Sequence, residues 1–160
     1  MKQDRFLIGI LVFIGLLVVA ALVLFLVRNR VPAYEAEDTP GGVLYDYALA
    51  LQQNNYERAY SYLAEEDGKP AYPAFRQAFL TQQLDPSTST LQVGEVQTLE
   101  NGEAWVSVTV QSAGTDIFDR GWSNSARATL VKQNGAWKIS SMPSPYWSWE
   151  WYQPTPTPGK

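Results

Sequence analysis

Leu91 to Gln111 reads LQVGEVQTLENGEAWVSVTVQ, and its periodicity decides the fold class. Ala104, Val106, Val108 and Val110 alternate with Trp105, Ser107, Thr109 and Gln111. That is the period-two pattern of a strand with one buried face. Asn101-Gly102 reads as a tight turn, and Leu91 to Leu99 supplies the other arm of an antiparallel hairpin. A two-residue loop would pair Glu95 with Val108 and Gln97 with Val106. Both polar residues would then share a face with Leu91, Val93 and Leu99. A carboxylate on a core face is costly unless it is paired or lines a wet cavity. Two readings therefore stand: Glu95 and Gln97 line a ligand pocket, or Gly94 forms a bulge that turns Glu95 outward. The same register sets Glu100 opposite Glu103, a like-charge pair that argues for a longer loop.

Toward the carboxyl end, Asn134-Gly135 marks a second hairpin. A two-residue loop there sets Leu130 opposite Ile139 and Lys132 opposite Trp137. Trp122, Asn124, Ala126, Ala128 and Leu130 then share a face with Trp137 and Ile139. Toward the amino end the period is helical. Thr39-Pro40 reads as N-cap and first helical residue, followed by Leu44, Tyr47, Ala48 and Leu51 on one face. This wheel leaves Asp46 toward solvent. Asn54-Asn55 caps a second helix carrying Tyr56, Ala59, Tyr60 and Leu63. Asp67-Gly68-Lys69-Pro70 is a turn, and Pro73 opens a third helix with Phe75, Ala78 and Phe79. Three helices followed by about four antiparallel strands is an α+β order.

Ahead of this domain, Phe6 to Val27 is an unbroken run of 22 residues without a charged or polar side chain. At about 1.5 Å per residue it extends roughly 33 Å, enough to cross a bilayer's ~30 Å hydrocarbon core. A secretory signal peptide is the competing reading, with Val31-Pro32-Ala33 imitating a cleavage site. The run's length, and Arg28 and Arg30 between run and site, favour an uncleaved anchor. The expected organisation is a short cytoplasmic start (1–5), a transmembrane helix (6–27), a linker (28–39), an α+β domain (40–152) and a Pro/Thr-rich tail (153–160). Lys2 and Arg5 are balanced by Arg28 and Arg30, so the positive-inside count is nearly even. The very short leading segment favours the amino terminus in the cytoplasm and the domain outside, at the plasma membrane.

The chain contains no Cys and no His. That excludes disulfides, thiol nucleophiles, lipid-modified Cys and Cys or His metal sites, and removes the commonest general base near neutral pH. No cofactor is expected. From Val31 onward there are 8 Lys/Arg against 15 Asp/Glu, a net charge of −7. An acidic domain repels phosphate backbones, so nucleic acid is not an expected partner.

Pro40 to Leu51 (PGGVLYDYALAL), Asn55 to Leu63 (NYERAYSYL), Pro73 to Leu80 (PAFRQAFL) and Gly135 to Ile139 (GAWKI) together resemble the nuclear transport factor two-like superfamily, also called cystatin-like or SnoaL-like. The resemblance spans roughly residues 40–142. It implies a cone: a bent antiparallel sheet wrapped around three helices, often with a pocket inside. The superfamily hosts isomerases, dehydratases, binding modules and secretion scaffolds, so fold does not choose the function. The anchor-plus-domain layout is similar to membrane-anchored scaffold subunits of type IV secretion and to many bacterial surface proteins.

Enzymes of that fold place an Asp, often with His or Tyr, at the cone's floor. His-dependent versions are impossible here. Asp46 on its helix and Asp116 and Asp119 in a loop are poorly placed, so no catalytic residue is assigned. Candidate pocket residues are Glu95, Gln97, Trp122 and Phe79. Trp105, on the outer sheet face, suggests a partner surface. Trp147, Trp149 and Trp151 alternate with Ser148, Glu150 and Tyr152, so an extended tail would align three indoles. That tail forms a last edge strand, docks a partner or second copy by strand addition, or touches the membrane interface. The leading expectation is a membrane-anchored extracytoplasmic binding or assembly module, non-catalytic, whose partner is a protein, a second copy or a small apolar ligand. The alternatives are a structural subunit of an envelope or secretion complex, and a small isomerase- or dehydratase-like pocket enzyme using a carboxylate.

Overall fold

The computed structural model describes residues 3–28, 34, 38–112 and 121–153, with side chains from residue 7 to 24 in the first helix. The chain divides into two units, Met1–Ala33 and Tyr34–Lys160. The first contains helix α1 (Gln3–Arg28). Its window Leu7–Leu24 is long and apolar enough to cross a membrane, a property that a signal sequence shares.

The second unit is α+β. Helices α2 (Pro40–Gln52), α3 (Tyr56–Ser61) and α4 (Tyr72–Leu80) precede strands β1 (Ser89–Thr98), β2 (Glu103–Ser112), β3 (Trp122–Gln133) and β4 (Ala136–Ser141). The strands form one antiparallel sheet in the order β1-β2-β3-β4.

Helix α2 starts as its sequence dictates. The Thr39 hydroxyl accepts the Gly42 N–H at 3.1 Å, and Pro40 supplies a fixed φ where no N–H is needed. Leu44, Tyr47, Ala48 and Leu51 are buried as the spacing predicts. Asp46 is fully buried too, with Leu49 and Ala50, which corrects the expectation that it faces solvent. A helix enclosed on nearly every side does not obey a single-stripe wheel. Asn54 then takes φ +57, and the Asn55 side chain accepts the Arg58 N–H at 3.2 Å to start α3. Helix α3 stops before Leu63. There the chain joins the sheet: Ile139 N–H donates to Tyr62 O at 2.8 Å, and Ala64 N–H to Ile139 O at 2.9 Å.

The second hairpin has the expected register, Leu130 opposite Ile139 and Lys132 opposite Trp137. Asn134 and Gly135 both have positive φ, as a two-residue loop of this twist requires. The first hairpin differs. Thr98 pairs with Ala104 and Leu99 N–H donates to Glu103 O, so the loop has three residues, Glu100 to Gly102, and Gly102 takes φ +84. A second irregularity follows between Val93 and Val96: Val93 pairs with Val108 but Val96 with Val106. The three-residue loop sets Gln97 opposite Trp105, not Val106, and the bulge at Gly94-Glu95 keeps Val93 and Leu91 on the apolar face opposite Val108 and Val110. Ala104, Val106, Val108 and Val110 of β2 are buried, as are Ala128, Leu130, Trp137 and Ile139.

The carboxyl-terminal segment corrects another expectation. Residues 142–153 form no edge strand; they run in successive turns over the helices. The Tyr146 hydroxyl donates to Ser89 O at 3.0 Å and the Tyr152 hydroxyl to Ala64 O at 2.6 Å. Gly68, at φ +85, lies so close to this segment that a Cβ would sit 2.8 Å from Tyr152 Cα. Trp147, Trp151 and Tyr152 thereby join Tyr47, Phe75 and Phe79 in one aromatic core.

Candidate functional site

The carboxyl-terminal turns build the most elaborated concavity. The chain places β4's last residues, the turn after α4 and the segment from Met142 to Gln153 around a cleft of about 520 Å³. That volume lies within the usual range for small-molecule sites. Leu84, Met142 and Trp147 are its buried apolar lining, with Trp151 and Tyr152 beside them. Ser140, Ser141, Ser144, Ser148, Gln83 and Gln153 make up its polar lining, with the Ser140 hydroxyl donating to Thr129 O at 3.3 Å. Trp149 lines the same cleft yet is 78 % exposed, the most exposed large apolar residue described outside α1.

That exposed indole stands on a fixed turn. Gln153 Nε2 donates to Trp149 O at 2.8 Å. Glu150 N–H donates to Ser148 Oγ at 3.3 Å, and Trp151 N–H to Ser148 O at 3.2 Å. Below, Trp151 meets Phe75 at 5.3 Å and Trp147 at 5.2 Å between ring centroids, and Trp147 stacks on Tyr152 at 5.5 Å. The turn is therefore anchored by aromatic packing on the helices and held by its own hydrogen bonds.

Among the described residues, no carboxylate, Lys or Arg lines the cleft. The ionisable side chain among its described lining, Tyr152, has its pKa raised by burial and by the nearby Glu66 and Glu65 carboxylates. A phenol shifted upward is protonated near neutral pH and cannot act there as a general base. The described residues of the cleft can stack on a ligand and hydrogen-bond it.

The residues expected to form a pocket are not brought together. Glu95 and Gln97 are exposed on β1. Trp122, opposite Ser112 at the far end of β3, is 49 % exposed. Phe79 is buried against Phe75, Tyr56 and Trp151. Of the residues expected at a partner surface, Trp105 is half-buried on the outer face, with the Arg127 guanidinium 4.5 Å from its ring centroid. Trp147 and Trp151 point into the aromatic core, leaving Trp149 as the indole available to a partner. Asp116 and Asp119 lie outside the described residues. The cleft's polar half lies outside the expected site residues. Its signal is the run Ser140-Ser141-Met142-Pro143-Ser144-Pro145, whose serines precede the Trp-rich segment.

Two other concavities are more open. One, of about 640 Å³, lies at the start of α2 between Gly41, Tyr45, Val93 and Val96. The other, about 370 Å³, lies over the Gly94 bulge between Gln92, Ser107, Thr109 and Arg127. Neither has an exposed aromatic side chain held on a hydrogen-bonded turn.

No protein-family model matches the chain, and no curated protein matches it significantly. Three solved structures share its arrangement in part. A SEC-C motif containing protein from Rhodopseudomonas palustris is 15% identical, with 72% of this chain and 82% of that one covered and a TM-score of 0.49. An NTF-2-like protein of unknown function from Shewanella oneidensis MR-1 is 12% identical, covering 61% of this chain and 88% of that one, with a TM-score of 0.47. A putative calcium/calmodulin dependent protein kinase II association domain from Xanthomonas campestris is 20% identical over 68% of this chain and 92% of that one, with a TM-score of 0.38. Similarity at this level transfers no substrate or partner to this chain.

Proposed function

We propose that the chain is a single-pass, membrane-anchored binding module, non-catalytic, whose amino terminus is cytoplasmic and whose α+β domain lies outside the plasma membrane. The cone of the nuclear transport factor two-like superfamily, a bent sheet wrapped around α2, α3 and α4, is the finer architecture within this reading. The apolar helix α1 supports the membrane anchor. The observation that carries the binding role is Trp149: an exposed indole on a hydrogen-bonded turn at an uncharged cleft. Leaving a large apolar ring in water gains nothing for folding, whereas a fixed aromatic surface lowers the ordering cost of binding.

Topology is tested with single cysteines, since the natural chain has none. Gln3→Cys and Ser123→Cys are expressed separately in intact cells and exposed to a membrane-impermeant maleimide. Labelling at 123 alone is expected; labelling at position 3 alone overturns the orientation. Binding is tested on the full chain in lipid nanodiscs by tryptophan fluorescence against apolar small molecules, peptides and oligosaccharides. A saturable response lost in Trp149→Ala supports the module. No saturable ligand in any class overturns it.

A further inference from the structure

We propose that the cleft beneath Trp149 recognises an uncharged carbohydrate chain; this rests on the binding role assigned to the same cleft. A sugar ring is amphipathic in a particular way. Its C–H faces are apolar and its hydroxyls, carried around the edge, donate and accept. The cleft has the complementary division. Trp149 exposes its indole, while Ser144, Ser148, Gln83 and Gln153, residues with hydroxyls and amides, line the same space. A hydroxyl carries one donor and two acceptor positions. Ser148 Oγ accepts the Glu150 N–H at 3.3 Å, which leaves its own proton available to donate.

Other ligand classes fit less well. A wholly apolar ligand would strip water from these hydroxyls and amides without replacing their hydrogen bonds, which weakens its binding for each group left unsatisfied. A phosphorylated or carboxylated ligand would find no Lys or Arg among the described lining residues, and the acidic chain, at −4 overall, would repel it. A polyol satisfies the hydroxyls and amides and covers the indole at once. The volume of about 520 Å³ leaves room beyond a single ring.

The test uses the full chain in nanodiscs, free of glycoside detergents, titrated with chitotetraose, cellotetraose and maltotetraose while tryptophan emission is recorded. At least one is expected to give a saturable change. Trp149→Ala should weaken that binding roughly tenfold or more, and Trp105→Ala, on the outer sheet face, should leave it unchanged. Because the ligand is uncharged, affinity should hold between about 50 and 500 mM NaCl. A peptide with the sequence of Pro154–Lys160, which follows the cleft residue Gln153, is titrated in parallel, because Pro-rich segments also dock on aromatic surfaces. Failure of all three oligosaccharides overturns the carbohydrate assignment. So does a saccharide response that persists in Trp149→Ala, or a Trp149-dependent response to the peptide alone. When an apolar molecule or a peptide binds instead, the carbohydrate inference falls and the binding module stands. When nothing binds, both fall.

Discussion

The Tyr47 hydroxyl donates to the carbonyl oxygen of Tyr146 at 2.8 Å, across a separation of 99 residues. Both residues are fully buried. This bond fastens the middle of α2 to the start of the turns that carry Trp149. Tyr47→Phe keeps the ring and removes the donor, leaving a buried carbonyl to find another partner. The expected loss is about 1–3 kcal/mol, read as a lower denaturant midpoint. Because the bond positions the segment, hydrogen exchange at residues 146–153 should rise more than exchange in β2.

Alkaline pH should loosen the same junction. Burial raises the Tyr47 pKa well above its ordinary value, and raises Tyr146 to about 12. In the unfolded chain both phenols titrate near 10. Below that pH both states hold the protons, and the stabilisation is fully present. As pH rises through about 10 to 12 the unfolded state loses protons that the folded state keeps, so stability falls. Denaturant midpoints should be flat from about pH 7 to 9 and decline above 10. Tyr146→Phe, although less stable throughout, should show a shallower decline. An unchanged slope in that variant would show that Tyr146 does not report this linkage.

How far the sequence revealed this fold depends on where each signal is local. Asn134-Gly135 needs only its two positive φ angles, so the β3–β4 register could be read directly. Asn101-Gly102 looks identical on the page, yet there Gly102 closes a three-residue loop. Gly94 then shifts the register again at the bulge. The extra loop residue alone moves Gln97 from the face of Val106 to that of Trp105, and the bulge then returns Val93 and Leu91 to the face of Val108 and Val110; neither step is visible to period-two counting. Asp46 escaped for a different reason: a wheel sorts residues by polarity, whereas α2 is covered by elements far away in sequence. The Trp147–Trp151 alternation suggested a strand. Its spacing of four residues instead lets those two rings meet at 5.2 Å within turns. The cleft exists only because those turns return to α4 and β4, a contact no local pattern encodes.

Gly68 fixes the far end of the segment. Its φ of +85 lies in the region that favours glycine, and an added methyl would stand 2.8 Å from Tyr152 Cα, a backbone atom that cannot rotate away. Tyr152 N–H also donates to Gly68 O at 2.9 Å, so any relief of the clash lengthens that bond. Gly68→Ala should cost roughly 2 kcal/mol or more. Limited proteolysis should cut the variant after Trp149, Trp151 or Tyr152 faster than the parent chain. Gly102→Ala, also at positive φ but with open space around it, is the control. It should lower stability by only about 1 kcal/mol and leave the segment protected.

Trp149 and Trp151 are two residues apart and should behave oppositely. Trp151 packs on Phe75 at 5.3 Å, Phe79 at 6.2 Å and Trp147 at 5.2 Å, with part of its ring in solvent. Trp151→Ala opens the aromatic core and should destabilise by about 2–4 kcal/mol, the lower part of the range reflecting that partial exposure. Trp149 is 78 % exposed, so Trp149→Ala should change stability by no more than about 0.5 kcal/mol. Denaturant melts of the two variants separate a structural indole from one free to bind. Equal destabilisation would mean that Trp149 is part of the fold, and its exposure would then carry no argument for a ligand.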